Sequence, residues 1–234
     1  MNRPQTDRPP QNSDSQGRLW LDTLRGFDMF FIMGFAALVV SLCRLRPGGF
    51  SDWLIAQMGH AEWDGFFHHD TIFPLFLFIA GISFPFSLAK QRSKGTSERA
   101  ILAKIVRRGL TLVLLGLVYN GLFRLDFATL RLPSVLGRIG LAWMFAALLY
   151  MRFGLRTRIV LAAGILAAYS LVLHFVGAPD APGAGTLTLE GNIAGYIDRR
   201  IMPSHLYLDG FDPEGILSTF PAVVTAMLGM FDRT

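Results

Sequence analysis

Apolar residues fall into six long blocks separated by polar stretches, roughly 24–43, 71–89, 106–123, 136–151, 158–176 and 215–231. Each block approaches the roughly 20 apolar residues that an α-helix needs to cross about 30 Å of hydrocarbon with ordinary tilt. Lipid offers no hydrogen-bond partner to an open strand edge, so the pattern predicts an all-α, polytopic transmembrane helix bundle. Residues 1–17 are polar and proline-rich and have nothing to bury; they are expected to form a disordered cytoplasmic tail ahead of a transmembrane domain over 18–234. The first apolar block comes late and lacks a small-residue cleavage site after it, so it reads as a retained span. Pro74, Pro85 and Pro221 are expected at helix ends or kinks.

Composition adds weight to the membrane reading, because 52% hydrophobic residues and 20 Phe give more apolar surface than a soluble core of 234 residues needs. The net charge of +5 is compatible with nucleic-acid binding. However, the basic residues cluster between the apolar blocks and are not interleaved with stacking aromatics, which excludes that class. They set topology instead. With the N-terminus inside, 15 of the 22 Lys and Arg fall on the inner side, seven of them between Lys90 and Arg108. The chain is therefore expected to be a multi-pass protein of the bacterial inner (cytoplasmic) membrane with a cytoplasmic N-terminus. That orientation puts residues 60–70 and the loop 177–214 on the outer face. Cys43, the single cysteine, lies in an apolar run and is expected to be an inert thiol.

Candidate chemistry concentrates in His60-Ala61-Glu62-Trp63-Asp64-Gly65-Phe66-Phe67-His68-His69-Asp70, directly before the second block. Titratable groups this dense at the mouth of a span are expensive and default to a functional reading. An imidazole titrates nearest neutrality, so His60 suits a proton acceptor or an acyl carrier. Residues of this kind also serve as turn residues (His60), interface anchors (Trp63) or helix caps (Asp70). No metal is expected, because adjacent histidines cannot share a helix face and the cluster holds no His-x-x-x-His spacing. Asp22, Arg25 and Asp28, three residues apart, share a face and are expected to pair, with Arg25 alternatively contacting phosphate. Arg138, in Gly137-Arg138-Ile139-Gly140, is the candidate buried cation, gathered with Asn120 and Arg124. In the long loop, Asn192 to Arg200 forms a short amphipathic piece at the interface. His205 follows it, and Asp212 is expected to cap the last helix with Pro213 at its first position.

Several motifs in order carry a resemblance: Leu21-Asp22-Thr23-Leu24-Arg25-Gly26, His60-Ala61-Glu62-Trp63-Asp64-Gly65, Asp70-Thr71-Ile72-Phe73-Pro74, Arg138-Ile139-Gly140, Gly191-Asn192-Ile193-Ala194-Gly195-Tyr196-Ile197-Asp198-Arg199 and Asp212-Pro213-Glu214-Gly215. Together they resemble the heparan-alpha-glucosaminide N-acetyltransferase family across roughly residues 18–230. The resemblance implies a transmembrane acyltransferase that uses acetyl-CoA as acyl donor and an amino or hydroxyl group of an extracytoplasmic sugar or glycan as acceptor. By its His-Ala-x-Trp-x-Gly motif, His60 is the catalytic histidine, with Asp70 as its orienting group. Arg25, Trp63, Arg138, Asn192 and His205 are the candidates for holding substrate or donor. Membrane lipids are expected partners, and a homodimer stays open. The family domain normally continues through further spans, so the chain reads as its N-terminal portion. An Asn that some members carry late in the first span is replaced here by Gly34-Phe35-Ala36-Ala37. A small-solute transporter or channel, or an inactive fragment, is the alternative.

Overall fold

The computed structural model describes residues 12–61, 63–126, 129–202, 206–208 and 210–232, except for the side chains of 12–18 and 232. The chain divides into two compact units, Met1–Ile79 and Ala80–Thr234.

In the first unit, α1 (Asn12–Phe30) runs through a π-turn at Phe31–Phe35 into α2 (Ala36–Arg44). Leu19–Arg44 is long and apolar enough to cross a membrane. Gly34 sits inside this span at φ 128°, a conformation that only glycine adopts without strain, and it accounts for the break between α1 and α2. The segment expected to be a disordered tail is therefore partly helical. Residues 12–17 belong to α1, because extending an existing helix needs no new nucleus; residues 1–11 lie outside the described residues. A short helix that no apolar block foretold, α3 (Gly49–Gln57), packs on α2. After it, Gly65 (φ 139°) turns the chain into a tight 3-10 turn at His68–Thr71.

Helix α4 (Ile72–Ser93) begins in the first unit and lies mostly in the second, followed by α5 (Glu98–Tyr119), α6 (Val135–Arg152), α7 (Leu155–Phe175), α8 (Ile193–Ile201) and α9 (Ile216–Gly229). His68–Ser93, Val135–Arg152 and Leu155–Phe175 are long and apolar enough to span a membrane, which makes this a multi-pass membrane protein. The other two expected spans differ. α5 starts eight residues earlier than its apolar block and carries Glu98, Arg99, Lys104, Arg107 and Arg108 in its first half. α9 has 14 residues, about 21 Å of helix, which is short of the hydrocarbon thickness. Pro85 and Pro221 lie inside α4 and α9.

Small residues let these helices approach closely, as is usual where lipid removes the hydrophobic drive between them. α6 packs on both α5 and α9, and Ala142, Ala146, Ala147 and Ala226 are fully buried there. A Cβ built at Gly140 would come 2.7 Å from the Gly109 carbonyl oxygen and 2.8 Å from Leu112. Backbone cannot yield as a flexible side chain does, so Gly140→Val is expected to destabilise the second unit by about 1–3 kcal/mol or more. Thermal unfolding in detergent, followed by circular dichroism, measures it.

Candidate functional site

In the first unit the chain brings His60, His68, His69 and Asp70 together. α3 ends at Gln57, and its side-chain oxygen accepts the backbone N–H of His68 at 3.1 Å, so the helix anchors the turn that follows. Thr71 Oγ1 donates to the His68 carbonyl at 2.7 Å and closes that turn. Asp70 works in two directions. Its Oδ2 accepts the Phe67 N–H at 2.9 Å, which is a capping role, while its Oδ1 lies 2.7 Å from His60 Nδ1. An imidazole whose Nδ1–H is held by a carboxylate presents its Nε2 lone pair outward, and the side chain of His60 is 67% exposed.

His69 meets the His60 ring edge-on at 4.7 Å between centroids, and His68 lies 5.0 Å from the Phe31 ring. Trp63 is 37% exposed in the same segment. Among the described residues no group of three or more His, Cys, Asp or Glu side chains is arranged to hold a metal. Arg25 pairs with Asp22 at 3.2 Å on an exposed face. Asp28, expected to join them, is instead 1% exposed, and neither carboxylate oxygen has a hydrogen-bond partner among the described residues.

The second unit holds a separate polar assembly. Arg131 forks onto Asp212, with Nε to Oδ2 at 2.7 Å and Nη2 to Oδ1 at 2.6 Å, and Nη2 also reaches Glu214. Asp212 is fully buried and also accepts the N–H groups of Tyr207 (3.2 Å) and Glu214 (3.0 Å). Burial opposes the charge of Arg131, but Asp212 and Glu214 outweigh it and hold its pKa above the ordinary arginine value. Burial pushes the Glu214 carboxyl above its usual range, against the pull of Arg131. Arg138 donates to the carbonyls of Pro213 (2.6 Å) and Ser218 (3.1 Å), so it ties α6 to the start of α9. A cavity of about 450 Å³ has Arg138, Glu214 and Ser134 in an otherwise largely apolar wall formed with Leu141, Phe145 and Phe220. Asn120, expected to gather with Arg124 and Arg138, donates through Nδ2 to the carbonyls of Arg131 and Pro133 at 2.8 Å each.

Asp212 does not cap the last helix as its sequence context suggests. α9 begins at Ile216, and the carboxylate that accepts the Ile216 N–H, at 3.0 Å, is Asp198 Oδ1 from α8. Arg131 claims Asp212 because a forked, charge-assisted pair outweighs a single capping bond. Asn192 caps α8 by accepting the Gly195 N–H at 2.6 Å, and its Nδ2 donates to the carbonyls of Thr188 (3.2 Å) and Leu189 (2.6 Å). Both ends of that amide are thus engaged by backbone. His205 lies outside the described residues. Arg199 forks onto Asp180 at 2.9 and 2.8 Å and fixes α8 to the preceding loop.

Burial pushes Asp198 up to about 6, with Asp212 adding to the shift and the Ile216 N–H and Arg199 opposing it. A carboxyl whose folded pKa exceeds its unfolded value binds the extra proton in the folded state. Its stabilising contribution is therefore present below about pH 4 and is lost as pH rises towards about 6. Asp198→Asn can still accept the Ile216 N–H without the charge. It is expected to flatten the pH dependence of Tm between 4 and 6 and to leave the protein about 1–2 kcal/mol more stable at pH 7.

No protein-family model matches the chain. Compared with individual proteins, it is 27% identical to human heparan-alpha-glucosaminide N-acetyltransferase over an alignment of 274 positions, covering 94% of this chain and 40% of that protein. It is 28% identical to the mouse heparan-alpha-glucosaminide N-acetyltransferase over an alignment of 272 positions, covering 95% of this chain and 40% of the mouse protein. The chain thus spans 40% of the length of the curated relatives it matches. Nearly the whole of this multi-pass chain is thus similar to part of the heparan-alpha-glucosaminide N-acetyltransferases.

Proposed function

We propose that this chain belongs to a membrane acetyltransferase that moves an acetyl group from acetyl-CoA to an amino or hydroxyl group of an extracytoplasmic sugar. The observation that carries the reading is the 2.7 Å contact between His60 Nδ1 and Asp70 Oδ1, on a histidine whose side chain is 67% exposed. In the proposed step the acceptor nitrogen or oxygen forms a bond to the acetyl carbonyl carbon and the carbon–sulfur bond breaks. His60 Nε2 takes the acceptor's proton and passes it to the departing thiolate. Asp70 keeps the imidazole in the tautomer this requires and stabilises it while it is protonated. Arg25 at the first span suits the donor's phosphates, Trp63 offers a face to the sugar, and Arg138 fixes the loop that leads into α9. By the charge bias, the N-terminus is cytoplasmic and the His60 segment faces outward across a bacterial inner membrane.

The test uses membranes containing the chain, radiolabelled acetyl-CoA and a glucosamine acceptor, with His60→Ala as control. Label on the sugar that depends on His60 supports the reading. Label that persists in His60→Ala removes His60 from the chemistry. Should neither this chain nor a version extended to the full length of its relatives label the sugar, a transporter or channel becomes the better account.

A further inference from the structure

Arg158, in the first turn of α7, is buried to 3% exposure, and its Nε and Nη1 have no hydrogen-bond partner among the described residues. Removing an uncompensated charge from water costs several kcal/mol, which is rarely tolerated without a partner. What surrounds it is aromatic. The guanidinium carbon lies 4.1 Å from the Tyr150 ring and 6.0 Å from the Phe231 ring. Contacts of this type, even when desolvated, return less than the charge loses. The aromatic wall continues: Phe84 stands edge-on to Tyr150 at 5.5 Å and to Trp143 at 5.6 Å, and the Arg108 guanidinium lies 4.3 Å over the Trp143 ring.

Two arginines, from α5 and α7, therefore flank one aromatic wall built from α4 and α6. Trp143 and Tyr150 are two turns apart on α6, so the guanidiniums they carry stand on the order of 10 Å apart. A ligand with more than one phosphate can bridge that distance. The start of α7 adds to the positive field, since its cap residue Gly154 offers no side chain to the free N–H groups of the first turn. Arg108 is exposed, which leaves the site accessible from its side.

We infer that Arg158 and Arg108, on the Phe84–Trp143–Tyr150 wall, form a binding site for a phosphate-bearing anion. Arg158 turns off the Tyr150 ring to donate two parallel N–H bonds to phosphate oxygens, and Arg108 closes the other end. The phosphate comes from a soluble polyphosphate or from an anionic lipid headgroup. The inference is independent of the acetyltransferase reading, because it concerns binding alone.

Two arms separate the sources. The chain is placed in phosphatidylcholine nanodiscs at low salt and titrated calorimetrically with pyrophosphate. In parallel, it is extracted from nanodiscs containing phosphatidylglycerol, and retained lipid is counted by native mass spectrometry. Wild-type protein is expected to bind one of the two, and Arg158→Gln to weaken that binding roughly tenfold or more, with Arg158→Lys affected less. Loss in the first arm assigns a soluble phosphate, and loss in the second assigns a headgroup. If Arg158→Gln does not fold, Arg108→Gln, at an exposed position, supplies the comparison. Equal binding by wild type and a folded Arg158→Gln overturns the site. So does a wild-type Tm that neither pyrophosphate nor phosphatidylglycerol raises.

Discussion

His60→Ala is expected to lower acetyl transfer by about two to four orders of magnitude, the contribution of a positioned general base. Insertion and folding should be unaffected, because the side chain is two thirds exposed and its contacts to Asp70 and His69 lie within the same short segment. Asp70→Asn separates orientation from structure. The amide can still hold the turn by accepting the Phe67 N–H, but it no longer carries the charge that stabilises a protonated His60. Its loss of rate is expected to be smaller, about tenfold to a hundredfold, and to fall on kcat more than on KM, as befits a residue that acts through another. Asp70→Ala removes both roles and should add a loss of stability that Asp70→Asn lacks. An Asp70→Asn variant with unchanged kcat would leave Asp70 as a cap alone.

The second large effect concerns stability. Asp212→Ala removes a fully buried carboxylate that accepts two bonds from Arg131 and one each from the Tyr207 and Glu214 backbone. It leaves Arg131, whose side chain is 20% exposed, with Glu214 as its remaining carboxylate. Breaking one side of such a pair is expected to cost about 3–5 kcal/mol, because the other charge stays buried. Thermal unfolding in detergent gives the value. Asp22→Ala is the control: the Asp22–Arg25 pair has the same charges at 3.2 Å but sits on an exposed helix face, and its loss should cost less than about 0.5 kcal/mol. Equal effects for the two substitutions would mean that burial does not decide what these pairs contribute.

Much of the architecture could be read from the chain because apolar blocks near membrane length leave the backbone no alternative to a helix. Blocks 136–151 and 158–176 match α6 and α7 to within three residues at each end. α5 and α9 were less legible. Charge on the first half of α5 and the shortness of α9 become visible only when the helix limits are set by hydrogen bonds rather than hydropathy. The His60–Asp70 contact lay within reach of sequence reading, since the two residues share one short segment. The glutamine that anchors this segment, Gln57, gave no signal beyond its polarity.

The N-terminal start of α9 shows why the rest was hidden. Asp-Pro-Glu-Gly has the local chemistry of a helix start, yet Asp212 answers to Arg131, 81 residues away, and Asp198 of α8 does the capping. Nothing in a linear pattern tells a carboxylate which distant donor will claim it.

By itself, the sequence determined that this protein is helical and crosses a membrane, and it placed a histidine and an aspartate close enough to meet, because hydropathy and short spacing are local properties. Only the tertiary structure decided which charges are buried and with whom: Asp212 with Arg131, Asp198 at the head of α9, and Arg158 against a tyrosine ring with no carboxylate among the described residues. Those assignments depend on desolvation and on contacts between residues far apart in the chain, and both come into existence only when the helices pack.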